Sequence, residues 1–459
     1  MSDPQTKVEE STSLPNKVED VAKNAVEKAV EAAVKEAPSV PPSADKTGLA
    51  TILGAAKAVE AGLAAQRGTD PNYEALPAFA LKYAPLMWLN SGEQYWPGNP
   101  LEFLENTKPQ HKTGAPVDVP PDLLGKPESL KLPAVNDPDV YLTFNEDPRT
   151  NSHIEKLISL PGKPDPTTHL SGSTCWIIVA DKSHIVEPGV VDVFYFFFYP
   201  YNLGTFVVYT NFGNHVGDWE HSMIRFKDGK PIAIHLSAHS EGHSFSWDIM
   251  EKMGDRPVGY VARGSHANYA KPGDKAYSKV PIFGPVDHAD KGLLWDPSLK
   301  YVAAKFDPPT GTFTPMKAPH PTTTTTAAPP TPGAAPTPAG ASSAPPASTP
   351  VYDTSITPED IVLVLNFQGK WGNSFSDIRF PKGSLGDKFT EFGDKLKNIF
   401  HIGKKQESGL QQDEKKKSVG LIQKLSMLRW SEGPTGPRYK SLERAGAQWN
   451  TTALSAQLV

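Results

Sequence analysis

Short runs of aromatic and β-branched residues, broken every few positions by Gly, Pro, Asn or Asp, predict an all-β protein, a β-sandwich, across 71–306 and 351–445. Two further observations agree. No long stretch up to about 305 carries a helical hydrophobic period. The Pro/Thr/Ala/Ser tract at 307–350 cannot bury a core, and strand-like sequence resumes beyond it at 361–367, so it is expected as a disordered insertion in one fold.

Taken in order, residues 1–70 are polar and charged, and partly helical or disordered. Val18, Val21, Ala22, Ala25, Val26 and Ala29 recur at helical spacing, and an Ala-rich helix is expected at 49–66. An aromatic stretch at 79–89 opens the sandwich. Strands are expected at 176–180, 190–201, 205–210, 220–226, 231–238 and 258–261. A second insertion, 382–420, reads as a basic amphipathic helix: Leu385, Phe389, Phe392, Leu396, Ile399 and Phe400 share one face, with Lys388, Lys395 and Lys397 among the polar positions. Residues 385–400 would suit an anionic membrane surface, a protein partner or the chain's own domain equally. The fold closes through Trp430 and 431–437, and 446–459 is a tail.

Composition narrows the function classes. The 459 residues carry a net charge of -5, and nothing in them points to nucleic acid. The single cysteine, Cys175, rules out an internal disulfide and a Cys2His2 zinc site, and fits a reducing compartment. The N-terminus lacks the pattern of a signal peptide, and the longest apolar run, 190–201, is too short to span a bilayer as a helix. An intracellular, cytoplasmic protein is expected.

The densest chemistry lies at Gly213-Asn214-His215-Val216-Gly217-Asp218-Trp219-Glu220-His221. In extended chain, residues two apart face the same way, so Asp218 and Glu220 share a face, with His215 on the preceding turn. Two carboxylates held close repel unless a proton or cation lies between them. A divalent cation (Mg, Ca or Mn, with Zn the poorer fit) would resolve this, and a solvated turn entering a strand is the plainer alternative. His239, His243 and His266 follow downstream; six of the 13 histidines fall between 215 and 266. Tyr199, Tyr201, Trp219 and Tyr269 are candidates for stacking on sugar rings, or for the core.

The motif Ala84-Pro85-Leu86-Met87-Trp88-Leu89, the run Phe198-Tyr199-Pro200-Tyr201-Asn202, the stretch Gly213 to His221, Gly264-Ser265-His266-Ala267 and Gly369-Lys370-Trp371-Gly372 together resemble the fungal vacuolar protein sorting-associated protein 62 family, which has plant relatives. The resemblance implies a role in delivery of proteins to the vacuole, with peripheral vacuolar or endosomal membrane association, and no established catalysis. More distantly, the central motif resembles the Gly-His-Arg-His-Asp-Trp-Glu heptapeptide of the necrosis- and ethylene-inducing-like proteins. That likeness implies cation ligands at His215, Asp218 and Glu220, with Asn202 where the family has an Asp.

Three readings follow. The first is a non-catalytic module binding a lipid headgroup or glycan at a cation site, with Trp219, His221, His239, His243, His266 and Tyr201 around it. The second is a metal-dependent hydrolase with His239 or His266 as general base. The third is a structural adaptor without metal. No Gly-x-Ser-x-Gly elbow, P-loop or His-Glu-x-x-His motif names a reaction.

Overall fold

In the computed structural model, residues 73–145, 162–207, 210–239, 241–276, 286–319, 349–374 and 431–443 are described. The chain divides into two units, 1–62 and 63–459, and the described residues belong to the second. The helices expected at 49–66 and 382–420, and most of the 307–350 tract, lie outside the described residues.

The protein is all-β with a few short helices. Its frame is an eight-stranded sheet running Glu241–Ser246, Lys230–Ala238, His215–Lys227, Val190–Asn202, Cys175–Asp181, Lys300–Asp307 and Thr312–Met316, with Val351–Tyr352 beside Lys300–Asp307. The long strands Val190–Asn202 and His215–Lys227 form its spine, paired antiparallel from Val190↔Lys227 to Asn202↔His215. Both are buried along almost their whole length. A strand covered on both faces reads as a continuous apolar run, which is why 190–201 lacks alternation.

Each face of this sheet carries a core. On one side Ile177, Val193, Tyr195, Phe197, Ile224 and Phe226 meet Met87, Leu89, Val261 and Trp295. The last four come from or adjoin a second, five-stranded sheet that includes Leu86–Trp88, Arg256–Val261 and Leu294–Trp295. On the other side Trp176, Phe196, Phe198, Trp219 and Met223 pack with Phe103, Leu142, Ile361, Val364 and Trp371. No helix among the described residues is long and apolar enough to cross a membrane.

Several expectations change. Residues 361–367 are not a strand: Pro358–Asn366 is a helix, started by a reciprocal cap between Thr357 and Asp360 with Pro358 at its first turn. The 205–210 strand is instead two short strands, Thr205–Val207 and Thr210–Phe212. The start of the 307–350 tract is ordered, because Lys300–Asp307 and Thr312–Met316 form a hairpin turning at Gly311, φ 66°. His215 is not on a turn before the strand; it is the strand's first residue.

The start of that strand is set by Gly217, at φ 69°. Strict alternation would put His215 on the face of Trp219 and His221. The left-handed residue shifts the phase. Val216 and Trp219 both enter the core with Trp371, while His215, Asp218 and Glu220 line one cavity. A Cβ at Gly217 would collide with the Trp371 carbonyl oxygen. Gly217→Ala is therefore expected to lower stability by roughly 2–4 kcal/mol, combining the left-handed penalty with overpacking. Denaturant unfolding of the two proteins measures it; a change below about 0.5 kcal/mol, the scale of an ordinary surface substitution, would show that the backbone there is free to relax.

Candidate functional site

Three strands of the large sheet reach the same edge. Asn202 ends one, His215 begins the next as its cross-strand partner, and Ala238 ends the third. There they enclose a cavity of about 290 Å³ lined by Asn202, His215, Asp218, Glu220, His239 and Lys440 among others. Ser265, from the turn after Arg256–Val261, and Ser431, from the C-terminal segment, complete the polar lining.

His215 Nδ1 lies 2.6 Å from the Gly217 carbonyl oxygen. A carbonyl only accepts, so Nδ1 carries the proton and Nε2 keeps its lone pair. Burial, the largest influence, lowers the pKa of the ring and favours this neutral form. The Asn202 amide donates to the Gly213 carbonyl at 2.9 Å, which leaves its oxygen as an acceptor.

The carboxylates have different partners. Asp218 accepts from His266 Nδ1 at 3.1 Å, and His266 Nε2 donates to the Tyr95 carbonyl at 3.0 Å. Both ring nitrogens face acceptors, so His266 is an imidazolium. It is fully buried and stacks on Tyr199 with ring centroids 3.7 Å apart. Burial is the strongest effect on this ring and opposes the charge, but the Asp218 hydrogen bond and the Glu93 and Asp218 carboxylates prevail, and the pKa rises. Burial likewise works against ionised Asp218, yet the His266 hydrogen bond and nearby positive charge bring its pKa below the usual carboxylate value. Glu220 moves the other way. Burial, then the Asp218 charge, pushes its carboxyl up to about 8. Its Oε2 accepts from Ser237 Oγ, a hydroxyl that also receives the His221 backbone N–H. Near neutral pH the pair therefore holds one negative charge, on Asp218, and one proton, on Glu220.

A second buried acid supports the rim. Asp287 accepts from Ser265 Oγ at 2.7 Å, Tyr269 OH at 2.6 Å and His239 Nε2 at 2.7 Å. Burial would lower the His239 pKa most, but the Asp287 contact reverses this and raises it. Glu93 accepts from the backbone N–H groups of Gln94, Tyr95 and Gly264, which fixes the turn presenting Ser265 and His266.

The remaining expected residues divide as follows. Trp219 and His221 lie on the opposite face of the strand. Trp219 is fully buried among Trp176, Phe198 and Trp371, and His221 stacks on Phe196 at 4.9 Å. Tyr201 is buried against Tyr95, centroids 4.9 Å apart. His243 sits opposite Leu236 in the edge hairpin, its ring 6.5 Å from that of Tyr269, and is not part of the cavity lining. These four thus stand away from the cavity, because alternation sends them elsewhere. Sequence reasoning does not find Lys440, Ser431 or the Asp287 support, which no local spacing links to the motif, whereas Ser265 stands beside the expected His266.

The donor types, one imidazole nitrogen, two carboxylates and an amide oxygen, are those of an oxygen-preferring divalent cation. Among the described residues, however, no three His, Cys, Asp or Glu side chains are gathered closely enough to hold an ion as they stand. Asp218 is drawn to His266 and Glu220 to Ser237.

The raised Glu220 pKa fixes a pH dependence. The ordinary value is 4.5 and the folded one about 8. Between them the folded state holds the extra proton, so stability falls as pH rises through that window. Glu220→Gln should flatten the part of the decline that His266 does not share. Thermal unfolding of both proteins from about pH 5 to 9 tests this; identical slopes would show that Glu220 titrates normally.

A family profile described as vacuolar protein sorting-associated protein 62 matches residues 57–306. Among curated proteins of Saccharomyces cerevisiae, the chain is similar to TDA6, 34% identical over 270 residues, covering 50% of this chain and 55% of that protein. It is also similar to vacuolar protein sorting-associated protein 62, 31% identical over 265 residues, covering 52% and 54%. The chain thus spans about half the length of these relatives. Solved structures with some likeness include necrosis and ethylene inducing protein 2 from the causal agent of cocoa's witches' broom disease, 12% identical over 49% of this chain and 72% of that one, TM-score 0.21. Another is NLPPya in complex with glucosamine, 11% identical over 50% and 77%, TM-score 0.22. At such TM-scores neither likeness carries anything over to this site. With the profile covering more than half of its length, the chain belongs to the vacuolar protein sorting-associated protein 62 family.

Proposed function

We propose that this protein serves vacuolar protein sorting as a non-catalytic binding module, taking a lipid headgroup or glycan at the cavity with a divalent cation as part of the site. One observation carries the reading: Asn202, His215, Asp218 and Glu220 line a single cavity, with a neutral His215 whose Nε2 is unprotonated and a carboxylate pair that keeps one proton. A cation would replace that proton. His215, Asp218, Glu220 and the Asn202 oxygen would hold it, and it would supply positive charge for sugar or headgroup oxygens. The His215 bond to Gly217 and the His266 bond to Asp218 orient the two ligands as outer partners do at metal centres. The cavity is near the lower end of ligand-site sizes, about 300 Å³, which suits one sugar ring or headgroup.

A hydrolase would need a base at the cavity. His266 is tied through both nitrogens and so has none left to take a proton, which favours binding over turnover there. Peripheral membrane association and a protein partner at 385–400 belong to the same proposal, and that segment lies outside the described residues.

Calorimetric titration of the full chain with Mn²⁺ and Ca²⁺ tests the cation. One ion should bind, release about one proton, and bind more tightly as pH rises toward about 8. Asp218→Asn should weaken it roughly 10–100-fold. Failure of the wild type to bind either ion would remove the cation from the reading, and equal affinity in the variant would place the ion elsewhere.

A further inference from the structure

We infer that the cavity's ligand carries an anionic oxygen group, phosphate or carboxylate, on a polyol, and that Lys440 is the residue selecting it. This deepens the proposed binding reading and rests on it. Lys440 lines the cavity together with Asp218 and Glu220, while His239, a basic side chain there with a raised pKa, is taken up by Asp287. Its charge acts on His215, Asp218 and Glu220. Among the described residues it makes no ion pair and no side-chain hydrogen bond. The other charges around the cavity are in couples: Asp218 with His266, and Asp287 with His239.

Lys440 is also held in place. Two residues before it, Arg438 Nη1 donates to Asn366 Oδ1 at 2.8 Å at the end of helix Pro358–Asn366. Two residues after it, Leu442 is buried in the core, and its carbonyl accepts from Lys182, itself fully buried. Lys440 N donates to the Pro437 carbonyl across the short turn Pro437–Tyr439. A residue fixed at both flanks has less backbone entropy to lose on binding than one on a free loop.

A neutral glycan leaves this cation unanswered, and a bound divalent ion worsens the imbalance by repulsion. An anionic oxygen placed between the ion and Lys440 relieves both charges. The hydroxyls of Ser265 and Ser431, which line the same cavity, are then left for the remaining ligand hydroxyls. Charge-assisted bonds of this kind are about twice as strong as neutral ones.

The test compares glucose, glucose 6-phosphate and glucuronate by calorimetry against the full chain, with and without saturating Mn²⁺. The wild type should bind both anionic sugars at least tenfold more tightly than glucose. Lys440→Ala should erase that gap, and Lys440→Arg should keep most of it. Mn²⁺ should bind Lys440→Ala as tightly as the wild type or more so, whereas a misfolded variant would lose ion and sugar together. Equal affinity for the three sugars, or a gap that survives in Lys440→Ala, overturns the inference. Lack of Mn²⁺ binding by the wild type would instead defeat the cation, and the metal-free sugar arm would then decide the anion. Flotation on phosphatidylinositol vesicles against phosphatidylcholine ones, dependent on Lys440, assigns the anion to a lipid headgroup. Sugar-phosphate binding without flotation assigns it to a soluble ligand.

Discussion

The site depends on one close approach between backbones. Gly217 lies against the Trp371 carbonyl, and Gly372 lies against the Val216 carbonyl, with no room for a Cβ at either position. The left-handed Gly217 turns His215 toward Asp218 and Glu220. The same interlock places Asn373, whose side chain accepts from Val216 N and donates to the Ser431 carbonyl. Its backbone carbonyl accepts from Gly433 N. The chain therefore leaves this point after Asn373 and comes back to it at Ser431. The contact that sets the phase of the motif also seats the segment carrying Ser431 and Lys440. Sequence far outside the profile-matched region is thus part of the cavity.

Buried charge is organised by strand pairing. Asp192 and Arg225 are direct cross-strand partners joined by two bonds of 2.8 Å. Arg256 grips Asp296 beside the Ala84 carbonyl. Asp218–His266 and Asp287–His239 join strands to turns. Such couples add little net stability over an apolar equivalent, but losing one partner is costly. Their effect is to fix which turns approach which strand ends. His239 and His266 both sit at positive φ, 56° and 57°. Each is a non-glycine residue in an uncommon conformation that also contacts a buried acid, and such conformations gather at functional sites.

How much of this the sequence revealed follows from the range of the interactions. The shared face of Asp218 and Glu220 was legible, because it needs only strand alternation. The same rule sends Trp219 and His221 to the other face, against the core. The phase of His215 was not legible, since it depends on Trp371 arriving from a distant segment. The helix at Pro358–Asn366 was legible in principle: Thr357, Pro358 and Asp360 are start signals, and they outweigh the β-like look of Ile361, Val362 and Val364. The hairpin after Asp307 was signalled by Gly311, yet the Pro-rich composition beyond it dominated the reading. Asp287 and Lys440 gave no local sign, because a lone acid or lysine acquires meaning only through the fold.

The cavity is electrostatically incomplete as it stands. Apart from neutral His215, which bonds the Gly217 carbonyl, ionisable groups around it are met by opposite charge with two exceptions among the described residues. Glu220 has only the Ser237 hydroxyl, and keeps its proton because burial and Asp218 outweigh the pull of Lys440. Lys440 has no acid at bonding distance. The two do not simply pair, so the deficit at each is separate: Glu220 calls for positive charge at the strand, Lys440 for negative charge at the C-terminal segment. A single neutral ligand answers neither. A cation at the strand with an anionic oxygen beside it answers both, and each then lowers the cost of binding the other. In the proposed site that reciprocity would make ion and ligand affinity a coupled pair, each strengthening the other by the same factor.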